Sequence, residues 1–508
     1  MRIHDSKGME VIMQAETRTG VMQSVTLESG VEAFLGIPYA KQPTGELRWK
    51  APVRLEDSDE HRICDSFGHS ACQFKDEVEP ASLHEQGEDC LSLNIWVNGA
   101  GKTNLPVMVY IHGGAYFSGG SADPLYNGEH FAQSKDVVIV SINYRLNVFA
   151  SIALDCLPGG EEYKESGYLA ILDQIKALEW IKENIAAFGG NPDCITLFGE
   201  SAGSSSQALL AILPQANTLF QRAILESGPI QLYKTKERGE AFTKEFAEIM
   251  KCETAQQLLA KTSDELLAGM QVWCDRHTYE VSLIFSPTCD GSFLPLKPMK
   301  VWKEGAAKNI DIMIGCTEDE FTYFKFYFED LPSFWHGQFP IHFDDQIDTI
   351  DWEEKYREAY PERDFGEYYT DFMNVTGFFV GADLMAEEQS EYKPVYNYLF
   401  RYKSRIEGMG ACHAIEVPFV MKNLNTPNGL MFTGPNPPAH LAEQMNTCWY
   451  NFAKTGKPSV EGVEEWPVYT AEDRAHMVID ENGWIVKHDM RAKDDAVFRP
   501  MYSVLLND

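Results

Sequence analysis

The chain has 508 residues, 44% of them hydrophobic and 12% aromatic, enough to bury one large core or two moderate ones. Its 76 acidic against 43 basic residues give a formal charge of −33, a surface that repels phosphate backbones and anionic lipid and so argues against nucleic-acid and membrane roles. No apolar run reaches the roughly 18 residues of a membrane span, and the eleven cysteines are scattered without CxxC pairs, which excludes a zinc ribbon and fits a reducing cytoplasm.

Residues 1–14 mix Arg2, Asp5, Lys7 and Glu10 with isolated apolar residues and show no apolar h-region, so a cytoplasmic location is expected. No linker, low-complexity tract or repeat divides the chain, and a single domain over residues 1–508 with cap-like insertions is expected. Residues 106–111 form a buried-strand pattern that ends at His112-Gly113-Gly114. A second run, 137–140, closes at Asn143-Tyr144-Arg145. Residues 154–166 read as a surface loop. A helix is expected over 167–187, with Ile171, Ile175, Leu178, Ile181 and Ile185 on one face at steps of three and four. Phe188-Gly189-Gly190-Asn191-Pro192 stops it.

Ile195, Thr196, Leu197 and Phe198 then form a short β-branched and aromatic strand, and a helix is expected over 204–212. Between them stands Gly199-Glu200-Ser201-Ala202-Gly203, the Gly-x-Ser-x-Gly pattern of a nucleophile elbow. Only small residues fit beside a serine held on so tight a turn, and the helix behind it favours a developing negative charge. Later strands are expected at 223–225, 310–315 and 395–402, and 424–438 reads as another surface loop. Strands apolar on both faces that alternate with helices imply a mostly parallel sheet covered on both sides. Sites in such sheets lie at the carboxyl ends of the strands, where Ser201, the Gly113-Gly114 loop and Glu320 fall.

A nucleophilic serine needs a base, an acid to orient the base, and donors for the oxyanion. His112-Gly113-Gly114-Ala115 can curl so that its N–H groups converge, with Ala202 N–H completing the set, although an isolated glycine-rich turn carries no chemistry by itself. Glu318, Asp319 and Glu320 crowd one loop, and sequence chemistry alone does not choose among these three carboxylates. Among 13 histidines, His413 stands out because small residues flank it and an apolar stretch follows. His112 reads as structural.

At this point the chain resembles the type B carboxylesterases of the cholinesterase-like α/β-hydrolase family over nearly its whole length. Gly36-Ile37-Pro38-Tyr39-Ala40, Leu47-Arg48-Trp49-Lys50-Ala51-Pro52 and Glu88-Asp89-Cys90-Leu91-Ser92-Leu93-Asn94 are similar to its N-terminal motifs. Asp173-Gln174, Trp180 and Asn184-Ile185 ahead of the elbow resemble its central block, and Phe452-Ala453-Lys454-Thr455-Gly456 with Trp466-Pro467 its C-terminal portion. The resemblance implies an α/β-hydrolase fold and a serine esterase that cleaves uncharged small to medium carboxylic esters through an acyl-enzyme, with no cofactor and no metal. It implies Ser201 as nucleophile, Glu320 as acid and His413 as base. It places the oxyanion hole at Gly113, Gly114, Ala115 and Ala202, with Glu200 and Ser227 as supporting groups. Tyr116, Phe117, Phe321 and Phe324 are the expected pocket residues, within an aromatic run after the acid that otherwise reads as core.

Several positions depart from the family pattern. Phe321 stands where the family has glycine after its acid, and Asn147 and Ala150 replace the glycines of the loop under the site. Cys72 and Cys90 occupy positions bridged in exported members but are expected to be reduced here, and Cys252 lacks a nearby partner. No tryptophan lies between Cys72 and Cys90, so no π-face is expected for a choline-like cation. An adhesion protein of this fold would need export and a lost nucleophile, and amide hydrolysis by the same triad ranks below ester hydrolysis.

Overall fold

The computed structural model describes residues 13–74, 84–99, 101–338, 350–366 and 368–506. The first twelve residues, on which the N-terminal expectation mostly rests, lie outside them.

Eleven strands form the main sheet: β1 Val25–Thr26, β2 Glu32–Pro38, β3 Ser92–Val97, β4 Leu105–Ile111, β5 Val138–Ile142, β6 Gly190–Glu200, β7 Arg222–Glu226, β8 Asp311–Thr317, β9 Val395–Phe400, β10 Ala475–Asp480 and β11 Gly483–His488. Their spatial order is β11-β10-β9-β8-β7-β6-β4-β5-β3-β2-β1. Strands β4 to β10 pair in parallel. Antiparallel strands close both sides, which is the fold expected of an α/β-hydrolase.

Alternation along the central strands builds the two faces, because successive side chains point to opposite sides. Val107, Val109 and Ile111 of β4, with Ile195 and Leu197 of β6, enter one apolar cluster, while Met108, Tyr110 and Phe198 enter the other. Helices α1 Glu129–Ser134, α2 Leu169–Asn184, α3 Ala202–Ile212, α4 Val380–Ser390, α5 Val417–Met421 and α6 Ala439–Thr455 cover the sheet. Buried residues of α2, α3 and α4 belong to the first cluster, and those of α1, α5 and α6 to the second.

Ile171, Ile175, Leu178 and Ile181 are buried as the stripe requires, but α2 stops at Asn184 and tightens into a 3-10 turn, Ile185–Phe188, capped by Gly189 at φ 87°. The loop expected over 424–438 instead contains the helix Pro427–Thr433. Thr426 Oγ1 accepts the N–H of Gly429, and Pro427 occupies the first turn, where its missing N–H costs nothing. The segment 154–166 is not purely surface either, for Leu154, Tyr163 and Ser166 are buried.

Two helical insertions follow β7 and β8. The second contains the 3-10 segment Glu320–Phe326 and a π-helical turn, Val375–Phe379, that runs into α4. Among the described residues, no helix is long and apolar enough to cross a membrane, and no group of three metal-ligating side chains could hold an ion.

Candidate active site

The carboxyl ends of parallel strands β4, β6, β7 and β8 bring one set of groups together. Ser201 follows β6 with φ 57° and ψ −122°, a conformation that L side chains adopt only under constraint. The constraint is visible: Ser201 N–H donates to Glu226 O at 2.9 Å, and Ser205 N–H donates to Ser201 O at 2.9 Å. The two elbow glycines lie against β4. A Cβ on Gly199 would come within 2.1 Å of Ile111 O, and one on Gly203 within 1.9 Å. The helix therefore begins at Ala202, two residues earlier than its apolar pattern suggests.

His413, which precedes α5, is buried with its Nδ1 2.5 Å from Glu320 Oε2. Glu320 is itself fully buried, and its Oε1 accepts Thr317 N–H at 2.8 Å. The neighbouring carboxylates face away. Glu318 pairs with Arg401 Nε at 2.7 Å, and Asp319 pairs with Lys403 Nζ at 2.5 Å. The other imidazole nitrogen, Nε2, lies 2.8 Å from Glu200 Oε1, yet the two atoms are not aligned for a hydrogen bond and neither has another partner. Ser201 Oγ thus makes no hydrogen bond to Nε2 in this resting arrangement. Burial lowers the affinity of His413 for its proton, but Glu200 and Glu320 outweigh it and hold the pKa well above the ordinary histidine value. Burial raises the pKa of Glu200 in turn, against the attraction of His413.

The loop after β4 coils tightly. Gly114, Ala115 and Tyr116 have φ of 95°, 53° and 56°, and Gly114 O accepts the N–H groups of Phe117 and Ser118 at 2.8 and 3.0 Å. Among the described residues, no acceptor takes the N–H of Gly114, Ala115 or Ala202. Gly113, Gly114 and Ala115 line the same cavity as Ser201 and His413, and a Cβ on Gly113 would meet Glu200 O at 2.9 Å. His112 is structural in its surroundings: burial pushes its pKa down to about 4, and its ring stacks on Tyr144 at 4.3 Å.

The cavity above Ser201 has a volume of about 320 Å³. Phe117, Phe321, Phe324, Phe334 and Phe378 supply much of its wall. Its charged side chains are Asp123, Glu200 and His413, without a lysine or arginine among the described lining residues. Tyr116, expected in the pocket, is not in this wall. Its positive φ turns the ring inward, where it is fully buried with its hydroxyl 2.8 Å from Ser206 Oγ. Phe321 replaces a glycine without strain because its N–H is accepted by Asn374 Oδ1 at 2.8 Å and its ring packs on Phe324 and Phe378. Asn147 meets the glycine-like demand under the site by adopting φ 47°, a region asparagine tolerates. All eleven cysteines are free thiols, Cys72 and Cys90 included.

Sequence reasoning placed Ser227, whose hydroxyl donates to Glu416 Oε1 at 3.2 Å, but assigned nothing to Glu226, Glu416 or Phe378. The first two carry a signal in hindsight, since Glu226 adjoins Ser227 and Glu416 follows His413 by three residues. Phe378 carries none.

The profile of the Carboxylesterase family matches residues 14–498. The chain is 35% identical to the para-nitrobenzyl esterase of Bacillus subtilis (strain 168), over 90% of this chain and 92% of that one. It is 32% identical to the phenmedipham hydrolase of Pseudarthrobacter oxydans, over 94% and 97%, and 29% identical to a Mus musculus cholinesterase, over 96% and 87%. Among solved structures, a Geobacillus stearothermophilus carboxylesterase superposes with a TM-score of 0.84 at 34% identity, covering 96% of this chain and 100% of that one.

Proposed function

The chain belongs to the carboxylesterase family, and from that premise we propose that Ser201, His413 and Glu320 are its catalytic triad. It is a serine hydrolase that acts on carboxylic esters. One observation carries the residue assignment: the strained Ser201 and the His413 ring, whose Nδ1 is held by buried Glu320, open into one cavity.

Ser201 Oγ attacks the ester carbonyl while Nε2 takes its proton. Glu320 holds the Nδ1–H tautomer and stabilises the imidazolium. The N–H groups of Gly114, Ala115 and Ala202 receive the oxyanion, with Gly113 allowing the loop to lie close to the serine. The leaving alkoxide takes its proton from Nε2, and water then cleaves the acyl-enzyme by the same steps.

The substrates are proposed to be uncharged small to medium esters, since the cavity is aromatic and, among the described lining residues, holds no lysine or arginine for an anionic group. The para-nitrobenzyl esterase name of one relative extends the proposal to esters with an aromatic ring. A single catalytic domain is proposed on the continuity of the eleven-stranded sheet, and a cytoplasmic setting on the eleven free thiols. A panel of p-nitrophenyl esters of increasing acyl length tests the reading, with Ser201→Ala and a fluorophosphonate probe alongside. Activity and labelling should both vanish in Ser201→Ala, and a variant that keeps either overturns the assignment.

A further inference from the structure

Two buried carboxyls under the site have no place in the triad. Glu226 ends β7, and its backbone carbonyl is the one that accepts Ser201 N–H. Its Oε1 accepts Trp449 Nε1–H from α6 at 2.5 Å, while Oε2 is buried without a partner. Glu416 opens α5, and its Oε1 accepts the hydroxyls of Ser227 at 3.2 Å and Tyr398 at 3.5 Å. Its Oε2 is likewise buried and unpartnered. Tyr398 and Trp449 pack edge to face at 5.4 Å, joining the two carboxyl sites.

The charged and titratable groups around them come from every neighbouring element. Glu200 ends β6, Tyr110 comes from β4, Cys316 from β8 and Tyr398 from β9. Glu320 follows β8, and Cys412 and His413 precede α5. Among the described residues this shell contains no lysine or arginine, and its one cation, His413, is already shared by Glu200 and Glu320. An ionised carboxylate here would keep an uncompensated charge and an unsatisfied lone pair, whereas a protonated one needs no counter-ion.

We propose that Glu226, with Glu416 beside it, acts as a neutral carboxylic acid that positions the Ser201 turn, and that its ionisation shuts the esterase down on the alkaline side. Burial holds the Glu226 pKa up at about 8, against the Trp449 N–H and with the charge of Glu200 adding to it. Burial and the charges of Glu320, Glu200 and Glu226 also push Glu416 well above the carboxylate range. A negative charge on Glu226 opposes the oxyanion forming at the neighbouring serine and favours the imidazolium over the neutral base, so both consequences slow acylation.

The inference rests on the triad reading and is tested separately from it. The measurement is kcat against pH for hydrolysis of p-nitrophenyl butyrate by the full chain. Wild type should fall about tenfold per pH unit above the Glu226 ionisation. Glu226→Ala should lower the maximal kcat by about tenfold or more, and Glu226→Gln, which mimics the protonated acid, should restore most of it and remain flat where wild type falls. A Glu226→Gln profile with the wild-type alkaline limb overturns the proposal, as does a folded Glu226→Gln that is no better than Glu226→Ala. Infrared difference spectra of the wild-type protein across the same pH range should show loss of a protonated-carboxyl band that Glu226→Gln lacks. If no such band exists at neutral pH the proposal fails even should the variants not fold. The triad reading fails on a different result, an active Ser201→Ala.

Discussion

Asp319 and Glu320 are adjacent in the chain and face opposite ways: Asp319 pairs with Lys403 at 2.5 Å near the surface, and Glu320 is buried 2.5 Å from His413 Nδ1. Removing the charge of the buried member takes away the group that orients the base. Glu320→Gln should therefore cost about 10³–10⁴ in kcat, the scale of losing a triad acid. Asp319→Asn and Glu318→Gln should stay within about tenfold of wild type, because both carboxylates are half-buried and pair with Lys403 and Arg401 rather than with the base. A severe Asp319→Asn beside a mild Glu320→Gln would show that the acid has been misplaced by one residue.

Much of the frame was readable because it depends on local pattern. Runs such as 106–111 and 195–198 are apolar on both faces, so they had to be central strands, and glycines beside Ser201 had to meet a backbone. What stayed hidden depends on tertiary contact. Tyr116 carries the composition of a pocket residue, but three consecutive positive-φ residues, Gly114 to Tyr116, turn it into the core. The helix Pro427–Thr433 was masked by its Pro, Asn and Gly content, although Thr426-Pro427 is a start signal. Glu226 and Glu416 look like any other glutamates until burial leaves one oxygen of each without a partner.

The pH dependence follows from the two carboxylates on His413. Only neutral imidazole accepts the serine proton, so activity rises as pH passes upward through the His413 pKa. That pKa is held above its ordinary value, since Glu200 and Glu320 outweigh burial. The rising limb should lie to the alkaline side of a free histidine. Glu200→Gln removes one of the two charges and should move the limb to lower pH, so that its relative activity at acidic pH exceeds that of wild type. An unmoved limb would mean that Glu200 does not act on the base.

Gly203 allows the elbow to lie against β4, and a Cβ there would sit 1.9 Å from Ile111 O, a backbone atom that cannot rotate away. Gly203→Ala must displace either the elbow or the strand end that leads into the Gly113-Gly114 loop. Stability should fall by more than about 2 kcal/mol, and kcat by about a hundredfold or more, the effect of a misplacement near 1 Å. Gly366→Ala, where the nearest atom is a side-chain oxygen at 3.3 Å, serves as the control and should change neither. Thermal melts and steady-state rates on the pair decide it.

Arg145 and Asp173 tie the loop after β5 to α2. Asp173 accepts Arg145 Nη2–H at 2.6 Å, Nε–H at 2.8 Å and the backbone N–H at 3.1 Å, with both side chains buried. Asp173→Asn leaves a buried guanidinium without its counter-charge and should destabilise the protein by about 3–5 kcal/mol. The double variant Arg145→Met, Asp173→Leu removes both charges and should recover part of that loss. Urea unfolding of the single and double variants checks the sign, and equal losses would show that packing rather than charge holds the loop.

Phe378 should govern how much bulk the site accepts. The π-helical turn Val375–Phe379 sets its ring 5.1 Å from the His413 imidazole and 5.3 Å from Phe321, so it closes the cavity beside the base. A π turn inserts one residue into a helix and re-aims the side chains that follow, a device common at functional sites. Phe378→Ala removes a ring from the wall of a cavity of about 320 Å³. Each methylene of substrate that gains room is worth roughly 1–3 kcal/mol of discrimination. The kcat/KM ratio of a long to a short acyl p-nitrophenyl ester should therefore rise about tenfold to a hundredfold, with little change for the acetate. A parallel series with a fixed acyl group and lengthening alcohols identifies which side of the ester the ring confines. If neither series broadens while the variant remains folded and active on the acetate, Phe378 is a packing residue only and specificity is set elsewhere along the aromatic wall.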